Sequence, residues 1–325
     1  MEEVESPVAG AGQVVVDVER VGICGTDVEF YTGEMDYLRQ GHALYPMRLG
    51  HEWVGRVSEL GEDVEQHWLG KRVTSDTMLG CGNCERCRRG RHHVCEFRHE
   101  LGIRGGWPGA LAEQLLVPES ALFEVPASIS SSAAALIEPG ASAVRAVTAA
   151  ALHPGQRVVI VGPGTIGLLA AQFALVAGLE VHVVGEEDTS LQLAVSLGLH
   201  RVYHDIEDLP STFDAVIDAT NDAGIPAASI RWVEPGGRVV LVGLSGQPSL
   251  VDSRQIVLGD LTLIGILGGS AGISEAIAAY AEGRVVPDAL VSEVVGLEQV
   301  GDRLAGERGS SAGIGPKVHV DPRFV

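Results

Sequence analysis

Lysine is almost missing from this chain: Lys71 and Lys317 are the only two in 325 residues, and arginine supplies nearly all of the positive charge. Acidic side chains outnumber basic ones 43 to 23, a formal net charge of −20, so a phosphate backbone would be repelled by most of the surface. This argues against nucleic acid as a partner; the local exception, Arg86, Arg88, Arg89 and Arg91, reads as solvated arginines, with a nucleic-acid contact there the disfavoured alternative. Long apolar runs are missing too. Residues 158–179 carry no charge, yet Gly162-Pro163-Gly164 splits them into a strand-length and a helix-length piece, neither of which spans a bilayer. The start, Met1-Glu2-Glu3-Val4-Glu5, is acidic where a secretory signal needs basic residues and then an apolar core. These absences predict a cytoplasmic protein with reduced thiols and no membrane partner. What is present, 46% hydrophobic residues and 42 glycines, suits two well-packed domains.

The five cysteines divide into four and one. Cys81, Cys84, Cys87 and Cys95 are spaced C-x2-C-x2-C-x7-C in a Gly- and Arg-rich stretch, which suits one tetrahedral zinc closed by four thiolates. A pair of disulfides or four unrelated thiols are the alternatives. Such an ion would staple a lobe that has too few apolar side chains to fold alone. Cys24 differs: it opens Cys24-Gly25-Thr26-Asp27, and Gly50-His51-Glu52 follows about two dozen residues later. A thiolate, an imidazole and a carboxylate form a mixed donor set that can hold a second zinc while leaving room for a substrate oxygen.

Val158 to Val161 is a β-branched apolar run that reads as a buried parallel strand and leads into Gly162-Pro163-Gly164-Thr165-Ile166-Gly167. In G-x-G-x-x-G the first glycine permits a tight turn, the second lets backbone approach a pyrophosphate, and the third allows close helix packing. Leu168 to Ala177 reads as the following helix, its N-terminus toward the phosphates. A second strand, Glu180 to Val184, ends in Glu186-Glu187-Asp188, and Glu186 lies about 20 residues past the glycines, where a carboxylate accepts the adenosine ribose hydroxyls. The cofactor expected is therefore NAD rather than NADP.

Three regions follow from the patterning. Residues 1–139, with the cysteine lobe at 81–95, alternate short apolar runs with turns, such as 13–18, 53–57 and 111–117, as an irregular β domain does. Residues 140–283 alternate strands (158–161, 181–184, 215–219, 238–242, 261–267) with helices, the doubly wound α/β pattern. Residues 284–325 return to short strands, 289–295 and 317–320, that rejoin the first domain.

In order along the chain, Cys24-Gly-Thr-Asp27, Gly50-His51-Glu52, the four-cysteine lobe, Ile137-Glu138-Pro139 and the glycine motif resemble the zinc-dependent medium-chain dehydrogenases. The resemblance implies a GroES-like catalytic domain, a Rossmann domain and an active site between them. It implies that Cys24 and His51 bind a catalytic zinc, that Glu52 and Glu138 are ligands or close neighbours, and that Thr26 starts a proton relay from the reacting alcohol. It implies hydride transfer between a small-molecule alcohol and the nicotinamide, in a homodimer or homotetramer. Family members usually carry a longer β segment before the strand equivalent to 13–18.

Within the family the chain is most similar to polyol, sugar and cyclitol dehydrogenases. Glu29 stands fifth after Cys24, as in glucose dehydrogenases, and Glu100-Leu101-Gly102-Ile103 resembles the segment in which those enzymes place a sugar-binding glutamate. Glu29 and Glu100 are thereby expected to accept hydrogen bonds from substrate hydroxyls. A simple secondary alcohol or an amino alcohol is the alternative substrate, and a cofactor-binding protein without turnover the distant one.

Overall fold

The computed structural model describes residues 2–310 and 312–324. Two sheets organise it. The first has seven strands in the order Val291–Val295, Lys317–Val320, Gln13–Gly22, Glu52–Leu60, Arg72–Ser75, Leu122–Glu124, with Gln114–Pro118 also paired to Gln13–Gly22. Strand Gln13–Gly22 is central, and its valines are buried on both faces, so its apolar run is nearly continuous. The two strands from the end of the chain close this sheet, bringing Lys317 beside residues near the start.

The second sheet has six strands, all parallel, in the order Val202–Tyr203, Glu180–Val184, Arg157–Val161, Phe213–Asp218, Val233–Leu241, Thr262–Gly265. Numbered along the chain this is 3-2-1-4-5-6, the dinucleotide-binding order, whose switch point lies between the first and fourth strands. Gly162 sits at that point with φ +94°, and a Cβ there would lie 2.8 Å from Thr220 Cγ2 at the end of the fourth strand. The helix begins earlier than its apolar pattern implies, spanning Thr165–Val176. Gly167 therefore lies in its first turn, where a Cβ would come within 2.0 Å of Gly162 O.

Two other strands are shorter than their apolar runs, for a common reason. Residues 110–113 do not extend the strand Gln114–Pro118 outward, because Ala110 and Leu111 donate their N–H groups to Gly50 and Leu49 beside His51. The run 261–267 yields the strand Thr262–Gly265, beyond which Arg145 takes the carbonyls of Leu267 and Gly268. In both, backbone at the strand end is used to build the space between the sheets.

The helix Ile137–Ala150 joins the two halves. Its buried Ile137, Ala141 and Val144 belong to one core with Val54 of the first sheet and Ile160 and Ile217 of the second. Small residues allow close approach: a Cβ on Gly140 would lie 2.1 Å from the Tyr280 hydroxyl oxygen. Burial on this scale, at about 25 cal/mol per Å² of apolar surface, makes the helix a rigid strut, and it carries Glu138 in its first turn.

Candidate active site and metal centres

Cys24 precedes the helix Gly25–Thr32, and Asp27 in its first turn folds back so that Oδ2 accepts from Cys24 N at 2.9 Å. Asp27 Oδ1 accepts from Gly50 N at 3.1 Å, tying the two motif segments together. Burial alone would raise this carboxyl, but His51 and the two backbone donors outweigh it and hold Asp27 below the usual carboxylate range. The same Oδ1 stands 3.6 Å from His51 Nδ1, which is buried and has no hydrogen-bond partner. A carboxylate on one imidazole nitrogen orients the other toward a metal.

One donor atom each from Cys24, His51 and Glu52 lies within 4.8 Å of the others. Sulfur, nitrogen and oxygen at this separation fit a zinc with an open position. Glu138 comes from the helix Ile137–Ala150, stands outside that group of three and is half-buried. Desolvation, reinforced by Glu52 and Asp76, pushes its carboxyl up to about 7, with His51 and Lys317 opposing. Thr26 is half-buried on the first helical turn.

Lys317 completes the centre and was invisible to motif reasoning. Its Nζ donates to both Glu52 oxygens at 2.8 Å and to Ile23 O at 3.0 Å. Burial would lower its pKa, but Glu52, Cys24 and Asp27 together raise it, so the ammonium is kept charged. The one available signal was rarity, since a chain with two lysines had placed one in an apolar strand.

The other four cysteines lie between the short strands Met78–Leu79 and His99–Glu100, and none is in a disulfide. Their sulfurs gather within 4.8 Å of one another, with Cys81–Cys87 at 4.0 Å and Cys84–Cys95 at 3.7 Å. A disulfide needs about 2 Å. A tetrahedral zinc with Zn–S near 2.3 Å places its sulfurs about 3.8 Å apart. Backbone N–H groups of Asn83 and Cys84 bring the Cys81 thiol down to about 6, whereas desolvation pushes the Cys87 thiol up to about 12.

Beyond the second parallel strand the first residue is Gly185, where a Cβ would lie 2.2 Å from Pro163 Cγ in the glycine motif. Glu186, Glu187 and Asp188 follow, all exposed. A cleft of about 690 Å³ opens at the ends of the later strands, lined by Asp218, Thr220, Gly243 and Leu267 and, from the other domain, Asp36.

The structure separates the two carboxylates expected to meet substrate. Glu29 is half-buried, and its carboxyl is raised by desolvation and by neighbouring Glu34 and Asp36, the latter at the cleft. Glu100 is 2% exposed, and its Oε1 already accepts from Arg98 Nε at 2.7 Å and Tyr37 Oη at 3.2 Å. Glu100 as a substrate acceptor therefore has only capacity beyond these two bonds to offer, because Arg98 and Tyr37 already occupy Oε1.

Two sheets of these topologies, a Cys–His–Glu cluster spaced to suit a metal and the dinucleotide-binding strand order are the features of a metal- and nucleotide-dependent dehydrogenase. Residues 10–127 match the alcohol dehydrogenase GroES-like domain and residues 165–282 the zinc-binding dehydrogenase domain. An L-threonine 3-dehydrogenase of Marinomonas sp. (strain MWYL1) is 32% identical over 279 residues, 82% of this chain and 80% of that protein. A zinc-binding dehydrogenase from Sinorhizobium meliloti 1021, bound to NADP, has a TM-score of 0.89 at 29% identity, covering 98% of this chain and 94% of that one. The 2R,3R-butanediol dehydrogenase of Bacillus subtilis has a TM-score of 0.86 at 26% identity, covering 99% and 96%. The chain belongs to the zinc-dependent medium-chain dehydrogenases, oxidoreductases acting on CH–OH donors.

Proposed function

We propose that this dehydrogenase oxidises a secondary alcohol of a polyol, sugar or cyclitol with NAD, using two zinc ions per chain: one at Cys24, His51 and Glu52 or Glu138, the other at Cys81, Cys84, Cys87 and Cys95. The observation that carries the reading is the convergence of Cys24, His51 and Glu52 within 4.8 Å of one another. When bound, the catalytic zinc would supply Lewis acidity that eases loss of the alcohol proton near neutral pH, and the nicotinamide would supply a hydride acceptor. Cys24 and His51 hold the metal, and Asp27 fixes both segments through Cys24 N and Gly50 N. Lys317 holds Glu52 through both of its oxygens, which leaves Glu138, with a carboxyl near 7, as the group able to change its charge as substrate enters. Thr26 receives the proton and passes it outward.

Glycines 162, 164 and 167, with the first-turn residues Thr165 and Ile166, bind the pyrophosphate, and Glu186 the adenosine ribose. The Sinorhizobium structure holds NADP; in this chain Gly185-Glu186-Glu187-Asp188 would set three carboxylates against a 2′-phosphate. Glu29, whose carboxyl is raised by desolvation and by nearby Glu34 and Asp36, the latter at the cleft, is the acceptor for a remote substrate hydroxyl. An amino alcohol is the second reading, favoured by the Glu29, Glu34 and Asp36 group, which suits an ammonium, and by similarity to an L-threonine 3-dehydrogenase.

Assembly is proposed as a homodimer through the free edge of the parallel sheet. Thr262–Gly265 ends the strand order, and the adjoining helix Ser253–Gly259 buries none of its residues, leaving Val257 and Leu258 77% and 87% exposed. Among the described residues no helix is long and apolar enough to cross a membrane. Initial rates over polyols, aldoses, cyclitols, amino alcohols and short alcohols, each with NAD and NADP, test the reading. A preference for short unsubstituted alcohols would overturn the substrate class, and no alcohol-dependent reduction of either cofactor would overturn turnover itself.

A further inference from the structure

Asp76 meets three separate parts of the molecule. It follows the strand Arg72–Ser75, is 5% exposed, and donates its N–H to Ala121 O at 2.9 Å. Oδ2 lies 2.6 Å from His92 Nε2, a residue of the four-cysteine lobe between Cys87 and Cys95. Oδ1 accepts from Met78 N at 2.9 Å and, across the domain junction, from Ser270 Oγ at 3.0 Å.

Ser270 ends the segment Leu267–Ser270, which follows the last parallel strand and borders the cleft through Leu267. Glycines at 265, 268, 269 and 272 make this stretch conformationally loose, so side chains must hold it in place. On one side Arg145, from the helix that carries Glu138, donates to Leu267 O at 2.5 Å and to Gly268 O. On the other, Met78 packs so closely that a Cβ on Gly268 would lie 2.6 Å from Met78 Cε, and Asp76 takes Ser270. A buried carboxylate bonded to groups from both domains is a costly feature unless all its partners are in place. Neither the metal sets nor the glycine motif accounts for it.

We propose that Asp76 is a positioning residue that ties the four-cysteine lobe to the cleft wall Leu267–Ser270, so that the lobe, besides closing its own fold, sets where that wall stands against a bound nicotinamide cofactor. Only the last clause rests on the cofactor reading.

His92 and Ser270 are the residues to change, since both bond to Asp76 and neither belongs to a metal set or the glycine motif. Hydrogen exchange at amides 266–272 of the free full-length protein should quicken ~3- to 10-fold in Ser270→Ala and in His92→Ala, the scale of one lost hydrogen bond. The double variant should be no faster than the faster single one, because both act through Asp76. His92→Gln, which keeps a donor, should restore most of the protection, and exchange in the strand Arg157–Val161 should not change. Dissociation constants for NADH and NADPH, by fluorescence titration, should rise by a similar factor in both single variants. Wild-type exchange in His92→Ala, or effects that multiply in the double variant, would overturn the link. Faster exchange in both single variants with unchanged cofactor affinity would overturn the positioning role. Failure of the wild type to bind either cofactor would overturn that role and the cofactor reading together, while the exchange rates still decide the link.

Discussion

The ammonium of Lys317 lies 2.8 Å from both carboxylate oxygens of Glu52, in a pair whose members are 4% and 1% exposed. Desolvation offsets most of the attraction in such a pair, so its net stabilisation is small, but removing one partner leaves a buried charge at a cost of about 3–5 kcal/mol. Lys317→Met is therefore expected to lose about that much in urea denaturation, and Lys317→Met with Glu52→Gln to recover most of it. A single variant as stable as wild type would show that Glu52 finds another cation.

The two sulfur-containing sets should be separable by metal analysis. Metal-binding free energy is part of folding free energy in a lobe closed by four thiolates. Cys84→Ser should lower folded yield and thermal stability, whereas Cys24→Ser should remain folded, lose one metal equivalent and lose activity. One zinc or none in the active wild type contradicts the two-site reading.

Cofactor choice should turn on charge beyond the second parallel strand. Glu186→Ala is expected to narrow the gap between NAD and NADP, chiefly by improving kcat/KM with NADP. If the wild type already prefers NADP, the selecting position is Gly185, which Pro163 keeps free of a side chain.

The two glutamates should behave differently. Glu29→Gln is expected to reduce kcat/KM by ten- to a hundredfold, ~1.5–3 kcal/mol, on multihydroxylated substrates while sparing a plain alcohol such as 2-butanol. Glu100→Gln removes the charge facing Arg98. Its effect should appear as lower stability and similar loss on every substrate; a loss confined to polyols would instead place Glu100 at the substrate site.

The pair between His92 and Asp76 carries a pH signature. The hydrogen bond to Asp76 raises the imidazole above its ordinary value, against desolvation, while Arg145 and Arg91 face the adjoining His93, whose own value is lowered, mainly by desolvation. A raised histidine contributes its full stability below about pH 6.5 and loses it as pH climbs through the folded value. The stability difference between wild type and His92→Gln should accordingly shrink as the solution is made alkaline; a constant difference in denaturation midpoint would rule out protonation of His92 as its source.

Cysteine spacing, the glycine motif and the alternation of strands with helices were legible without coordinates because each is local: a metal set or a phosphate turn imposes fixed intervals on a few neighbouring residues. The same spacing determined that Cys24 and His51 would be kept apart from the four-thiolate lobe. Other features depend on which distant segments the sheets bring together. Lys317 and Glu52 are 265 positions apart, and Ser270 and Asp76 are 194 apart, distances at which no periodicity survives. The bonds of Glu100 to Arg98 and Tyr37 are likewise absent from the sequence, because no interval fixes the direction in which Arg98 folds. Glu138 belongs to a motif, but its raised carboxyl depends on desolvation, reinforced by Glu52 and Asp76 from distant segments of the first domain. Local intervals determined which groups could bind metal and phosphate; the closing of the first sheet by the chain's last strands, and of the cleft by the segment after Gly265, decided which of them are charged, paired or free to act, because electrostatic interaction depends on distance in space.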